Sequence, residues 1–224
     1  MRPLALPEGV PPGLEVWRLP LALDAAPAEA DWHLLSDDER ARALRWRRQA
    51  DRVRAVATRA ALRRLLGARL GRAPTSLRFT LGPQGKPGLA DHPIAFNVSH
   101  SGAQALLALA GAAAVEAIGV DVERVDATVD VASLARLAAT PRECEAIGAS
   151  PACFYVHWVG KEAALKALGL GVADDLRRVD IEPLSDARLR VTQDLVQGPA
   201  LRACLLPVPE GYAGALAWQT MESR

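Results

Sequence analysis

Two carboxylates, two residues apart, are the first sign of chemistry in this chain. In Ala-Ile-Gly-Val-Asp-Val-Glu, residues 117–123, the apolar Ile118, Val120 and Val122 alternate with Asp121 and Glu123. A period of two predicts a strand with both acids on one face. Paired carboxylates repel unless a cation lies between them, and hard oxygen ligands suit Mg²⁺ or Mn²⁺. The solvated face of an edge strand would look the same, so the spacing leaves both readings open.

A second group lies in the helix expected over 151–168. At about 100° per residue, Phe154, Trp158, Leu165 and Leu168 form an apolar stripe. Glu162 and Lys166 are four apart and lie together beside it, as an ordinary surface ion pair or as part of a phosphate-and-metal site. Lys161 projects into the stripe itself, where an ammonium needs an anion or a water-filled cleft. Lys86, Lys161 and Lys166 are the only lysines among 27 basic residues. They are leftovers of a GC-rich genome, or positions that need a compact point charge and not a planar fork.

Ser99-His100-Ser101-Gly102 falls where a hairpin turn is expected. It offers backbone N–H groups, two hydroxyls and an imidazole, which is either a phosphate cradle or plain turn chemistry. From Arg40 to Arg72 there are twelve arginines against one acid, Asp51. This stretch is a solvated face, or it binds phosphate, an acidic protein or nucleic acid. His33, His92 and His157 show no metal spacing.

These residues need elements to hold them. Strands are expected at 14–19, 76–80, 94–99, 104–110, 117–123, 178–182, 187–192, 200–206 and 213–219. A helix capped by the Ser36–Glu39 box runs to about Gln49, followed by helices at 51–70, 131–139, 141–147 and 151–168, the last ended by Gly169 and Gly171. Residues 82–88 form a loop by composition. The class is α+β with mostly antiparallel sheets and no clear sequence repeat, with a boundary near Gly111–Glu116.

Bulk properties read as soluble and globular. The chain has 224 residues, half of them apolar, and a formal net charge of +1. That charge predicts neither a nucleic-acid nor a membrane partner. Three cysteines without metal spacing, no signal-peptide pattern and no membrane-length apolar run predict a cytoplasmic protein.

Four motifs in order then resemble one family. Gln84-Gly-Lys-Pro87, Phe96-Asn-Val-Ser-His-Ser-Gly102, Ile118-Gly-Val-Asp-Val-Glu123 and Trp158-Val-Gly-Lys-Glu-Ala-Ala-Leu-Lys166 are similar to the Sfp-type 4′-phosphopantetheinyl transferases. The resemblance spans roughly Ser36 to Gly171. It implies two similar lobes in pseudo-twofold arrangement, 1–112 and 113–224, with the active site between them. It implies transfer of 4′-phosphopantetheine from coenzyme A to a serine of an acyl or peptidyl carrier protein, by a monomer that uses Mg²⁺. By resemblance, Asp121, Glu123 and Glu162 bind the metal, and Asp121, Glu162 and Lys166 are catalytic. Arg42, Lys86, Asn97, Ser99, His100, Lys161 and Lys166 contact coenzyme A, with Arg42 near the 3′-phosphate. The partner expected for Lys161 is Asp121, Glu123 or the pyrophosphate. Val159 stands where the family has a small polar residue, and arginines replace several family lysines. The alternative is a silent coenzyme A- or carrier-binding protein, which the presence of all three acids opposes.

Overall fold

The computed structural model describes residues 1–82, 85–90, 94–111, 115–170, 175–195 and 200–220. Gln84, His92, Gly171 and residues 112–114 of the expected boundary lie outside them. The first half of the chain begins with β1 (Arg2–Pro3) and β2 (Leu14–Pro20). Three helices follow, α1 (Glu29–Trp32), α2 (Asp37–Leu44) and α3 (Gln49–Leu70), then β3 (Phe79–Leu81), β4 (Pro87–Leu89), β5 (Ile94–Ser101) and β6 (Gln104–Gly111). The second half runs β7 (Ala117–Arg124), α4 (Val131–Ala138), α5 (Pro141–Ile147), α6 (Pro151–Leu168), β8 (Val179–Pro183), β9 (Arg188–Gln193), β10 (Arg202–Leu205) and β11 (Tyr212–Gln219). The class is α+β.

One sheet has the order β1-β2-β6-β5 and the other β7-β11-β10-β9-β8. Both share a scheme that the sequence does not reveal. An opening strand, β2 or β7, leads into three helices, the last of them the longest. The closing strand, β6 or β11, then pairs antiparallel with both the opening strand and its own predecessor. A third pair, β3–β4, stands apart.

Local chemistry sets the helix ends. Ser36 and Glu39 form the expected capping box on α2, and Thr140 and Glu143 form another on α5. The long helices α3 and α6 each stop at a glycine in the left-handed region, Gly71 and Gly169, where other residues are strained. Three expectations shift. Helix α2 ends at Leu44, short of Gln49. Strand β4, Pro87–Leu89, begins inside the expected loop 82–88. Strand β5 runs on through Ser101, so the turn is Gly102-Ala103.

Leu14, Val16, Leu106 and Ala108 of the first sheet pack against Ile118, Val120, Val122, Leu216 and Trp218 of the second. Burying each such leucine, isoleucine or valine contributes roughly 1.5–3 kcal/mol, so this shared core joins the sheets firmly. On its other face the second sheet is covered by α6. There Gly119 of β7 meets the helix backbone directly, and any Cβ at that position would overlap the Ala163 carbonyl and the Ala167 amide.

Candidate active site

The site lies where two sheet edges meet. Strands β5 and β7 are both edge strands, and their side chains join them. The Asn97 carboxamide oxygen accepts from the Val120 amide at 2.9 Å, which satisfies an edge donor on β7. Two residues on, the Ser99 hydroxyl donates to Asp121 Oδ1 at 2.7 Å. Two further, the Ser101 hydroxyl donates to Glu123 Oε2 at 2.6 Å and accepts from the Arg124 amide. The strand period thus lays two hydroxyls of β5 against two carboxylates of β7.

Helix α6 supplies the remaining charges. Lys166 Nζ donates to Asp121 Oδ1 at 2.6 Å and to Ser99 at 3.3 Å, and it lies 3.4 Å from Glu162. These residues, with Val98 and His100, line a cleft of about 270 Å³. Val98 and His100 also line a second chamber of about 280 Å³, which Arg42, Trp46, Arg54 and Arg59 flank. The Arg54 guanidinium donates to the Gly102 carbonyl and pairs with Asp51. The three carboxyl groups and the cluster of guanidinium groups thus line neighbouring cavities that share Val98 and His100.

The electrostatics are those of a site short of positive charge. Burial, with the Asp121 carboxylate next, pushes Glu162 up to about 7, and Lys166 only partly offsets this. Glu123 is also raised, chiefly by burial. Burial alone would lower Lys166, but Asp121 and Glu162 outweigh it and hold its pKa up. His100, at the junction of the two chambers, is lowered by desolvation and by nearby Arg54 and Lys166. Asp121 is 1% exposed, and its Oδ2 has no hydrogen-bond partner among the described residues. A buried orphan acceptor of this kind costs about 1–3 kcal/mol. Hard carboxylate oxygens around such an atom fit a divalent cation. Among the described residues no three His, Cys, Asp or Glu side chains stand close enough to form a finished metal cage. The Lys166 ammonium bridges two of the three acids instead.

Of the residues expected at this site, Asp121, Glu123, Glu162, Lys166, Ser99 and His100 gather in one cleft, and Arg42 lines the adjoining chamber. Three differ from expectation. Lys161 points away from the site, because residues 161 and 162 are about 100° apart on the helix. It is 1% exposed, pairs with Glu143 of α5 at 2.6 Å, and donates to the Leu176 and Val179 carbonyls. None of its expected partners is there. Asn97 is buried and holds the β7 backbone. Lys86 donates to the Lys166, Ile118 and Ala167 carbonyls at 2.6, 3.1 and 3.4 Å, not into either chamber. The Ser-His-Ser run is strand, not a turn cradle, because Ser101 pairs with Gln104 and His100 with Ala105.

Sequence reasoning missed Arg54 and Glu143, and it named Ser101 only as part of a turn and not as the partner of Glu123. Ser101 was within reach, since it follows Ser99 by the same two-residue step that links Asp121 and Glu123. Thr140-x-x-Glu143 is a visible capping box, but nothing local ties it to Lys161. Arg54 is one of twelve arginines with no distinguishing pattern.

Comparison with known proteins gives consistent matches. Residues 117–217 match the family model of the 4′-phosphopantetheinyl transferase superfamily. Residues 26–112 match that of the 4′-phosphopantetheinyl transferase N-terminal region. The chain is 36% identical over 188 residues to the 4′-phosphopantetheinyl transferase HetI of Nostoc sp., covering 79% of this chain and 78% of that one. It is 38% identical over 154 residues to the putative 4′-phosphopantetheinyl transferase slr0495 of Synechocystis sp., covering 65% and 61%. Among solved structures, the holo-[acyl-carrier-protein] synthase of Helicobacter pylori in complex with coenzyme A aligns with 46% of this chain and 99% of its own. The TM-score is 0.36 and the identity 19%. No helix among the described residues is long and apolar enough to cross a membrane.

Proposed function

The chain belongs to the 4′-phosphopantetheinyl transferase superfamily, and we propose that the cleft between β5, β7 and α6 moves phosphopantetheine from coenzyme A to a serine of a carrier protein. The observation that carries this reading is the orphaned, buried Asp121 Oδ2 beside Glu123, Glu162 and Lys166.

Asp121, Glu123 and Glu162 are the residues that would hold Mg²⁺. When bound, the ion supplies charge neutralisation on the pyrophosphate. The chain's own groups do the rest. Lys166 stabilises negative charge that spreads over the phosphoryl oxygens. The carrier serine oxygen attacks the phosphorus nearest the pantetheine, the bond from that phosphorus to the bridging oxygen breaks, and 3′,5′-ADP leaves. Glu162, the acid whose pKa is pushed up to about 7, is placed to take the serine proton, directly or through a water molecule. His100 and Ser99 hold phosphate oxygens, and Arg42 reaches the 3′-phosphate end of the nucleotide. The exposed arginines of α2 and α3 steer an acidic carrier.

We treat residues 1–112 and 113–224 as two lobes with this site at their seam, in a cytoplasmic monomer. The deciding experiment is mass spectrometry of acyl and peptidyl carrier proteins incubated with the chain, coenzyme A and Mg²⁺. Addition of one phosphopantetheine per carrier supports the reading, and its absence with every carrier and divalent metal tried would refute it.

A further inference from the structure

The cleft has two acids on a strand and one acid with a lysine on a helix, so its usefulness depends on the distance between the two. Lys86 stands at the junction that sets this distance. It comes from the segment between β3 and β4 in the first half of the chain, and two backbone bonds hold the residues beside it. The Gly82 amide donates to the Lys86 carbonyl, and the Gly85 amide donates to the Gly82 carbonyl. From this base the side chain crosses to the second half. Two of its acceptors, the Lys166 and Ala167 carbonyls, lie in the last turn of α6, and the third, the Ile118 carbonyl, lies on β7.

Three features make the contact more than incidental. An ammonium has three protons, and three carbonyls take them. The last turn of a helix presents carbonyls with spare acceptor capacity, the Lys166 carbonyl taking only the Gly169 amide besides Lys86 among the described residues, and the negative end of the macrodipole there favours a cation. Ile118 and Lys166 flank the close approach of Gly119 to α6, so the clamp closes on the point where strand and helix backbones touch. Burial pushes Lys86 down to about 8, while the three carbonyl bonds favour its charged form.

We propose that Lys86 is a positioning residue, whose ammonium clamps the end of α6 to β7 and holds Glu162 and Lys166 against Asp121 and Glu123, with no proton left for a cofactor phosphate. This rests on the transferase reading above. It also accounts for lysine at this position in an arginine-rich chain, because three carbonyls converging on one point suit a compact ammonium and not a planar guanidinium.

The test uses the full chain carrying Lys86→Met, with Lys86→Gln, which keeps two donors, as the milder variant. Amide hydrogen exchange of α6 is measured alongside kcat and the dissociation constant for coenzyme A. The clamp predicts exchange at least tenfold faster in residues 165–170, a kcat at least tenfold lower, and coenzyme A affinity within threefold of the parent, with Lys86→Gln intermediate. Unchanged exchange at the helix end overturns the proposal, as does an unchanged kcat. A tenfold loss of coenzyme A affinity with kcat preserved also overturns it, because that is the signature of a phosphate contact. Exchange is read without turnover, so a parent protein that transferred nothing would sink the functional reading and leave the clamp to be judged on exchange alone.

Discussion

Helix α6 takes part in two lysine–glutamate arrangements, on faces about 100–140° apart, and they have opposite characters. On the core side, every group of the Lys161–Glu143 pair is satisfied. Lys161 has two carbonyls and a carboxylate, and Glu143 also accepts from the Thr140 and Ile181 amides. On the cleft side, Lys166 serves Asp121 and Glu162 together, Asp121 Oδ2 has no partner among the described residues, and Glu162 is pushed up to about 7. Full satisfaction marks the polar cluster that holds the fold. Incomplete satisfaction marks the cluster that the proposed function assigns to a ligand.

The largest expected effect breaks the cleft side alone. Asp121→Ala should lower transfer by on the order of 10³-fold, with melting temperature and circular dichroism unchanged. Near-normal transfer with Mg²⁺ present would remove the distinction between the two faces.

Next is the core side. Lys161→Met leaves a buried carboxylate unpaired and should destabilise the protein by about 3–5 kcal/mol. Melts in Mg²⁺ and in EDTA should show the same loss, because no site acid is its partner. The double change Lys161→Met with Glu143→Met should recover part of it. A loss confined to EDTA would tie Lys161 back to the metal acids.

His100→Ala tests the junction between the chambers. Removing one phosphate contact should raise KM for coenzyme A about ten- to a hundredfold, equivalent to roughly 1.5–3 kcal/mol, with kcat changed far less. Arg42→Ala should show a smaller defect with dephospho-coenzyme A than with coenzyme A, and equal defects would remove Arg42 from the 3′-phosphate.

The smallest effect concerns stability and pH. A glutamate ordinarily near 4.5 that titrates near 7 in the fold keeps its proton where the unfolded chain has lost it. Its stabilising contribution is complete below about 4.5 and disappears as pH rises through 7. The metal-free protein should therefore lose stability between pH 5 and 8, by about 1–2 kcal/mol from this group. Glu162→Gln should flatten that slope and melt no lower than the parent at pH 8, although it transfers poorly. A parallel pH slope in both proteins would assign the loss to other groups.

Much of the site was legible in the sequence because its chemistry repeats at local periods. Asp121 and Glu123 follow the strand period, and Glu162 and Lys166 follow the helix period. The long helices were legible through their caps, and α6 occupies the expected 151–168. What stayed hidden was non-local. The connection scheme shared by the two sheets lies in the order of pairing, not in residue identity. The scarcity of lysine was a true signal, and in the structure two of the three positions bond to groups of the chain itself. In the structure each lysine is a tripod donor. Lys86 meets three carbonyls, Lys161 two carbonyls and a carboxylate, and Lys166 a hydroxyl and two carboxylates. Only distances across the fold, of 80 residues for Lys86 to Lys166, show which tripod faces the cleft.

The bare contact at Gly119 has a mechanical consequence. Where a side chain lies between strand and helix, a rotamer change can absorb a shift of either one. Where backbone rests on backbone, nothing is left to turn, so β7 and α6 travel together as a single block. Adjustment within the cleft is then left to side chains: Glu162 and Lys166 on α6, His100 on β5, and the long arginines on α2 and α3 beside it.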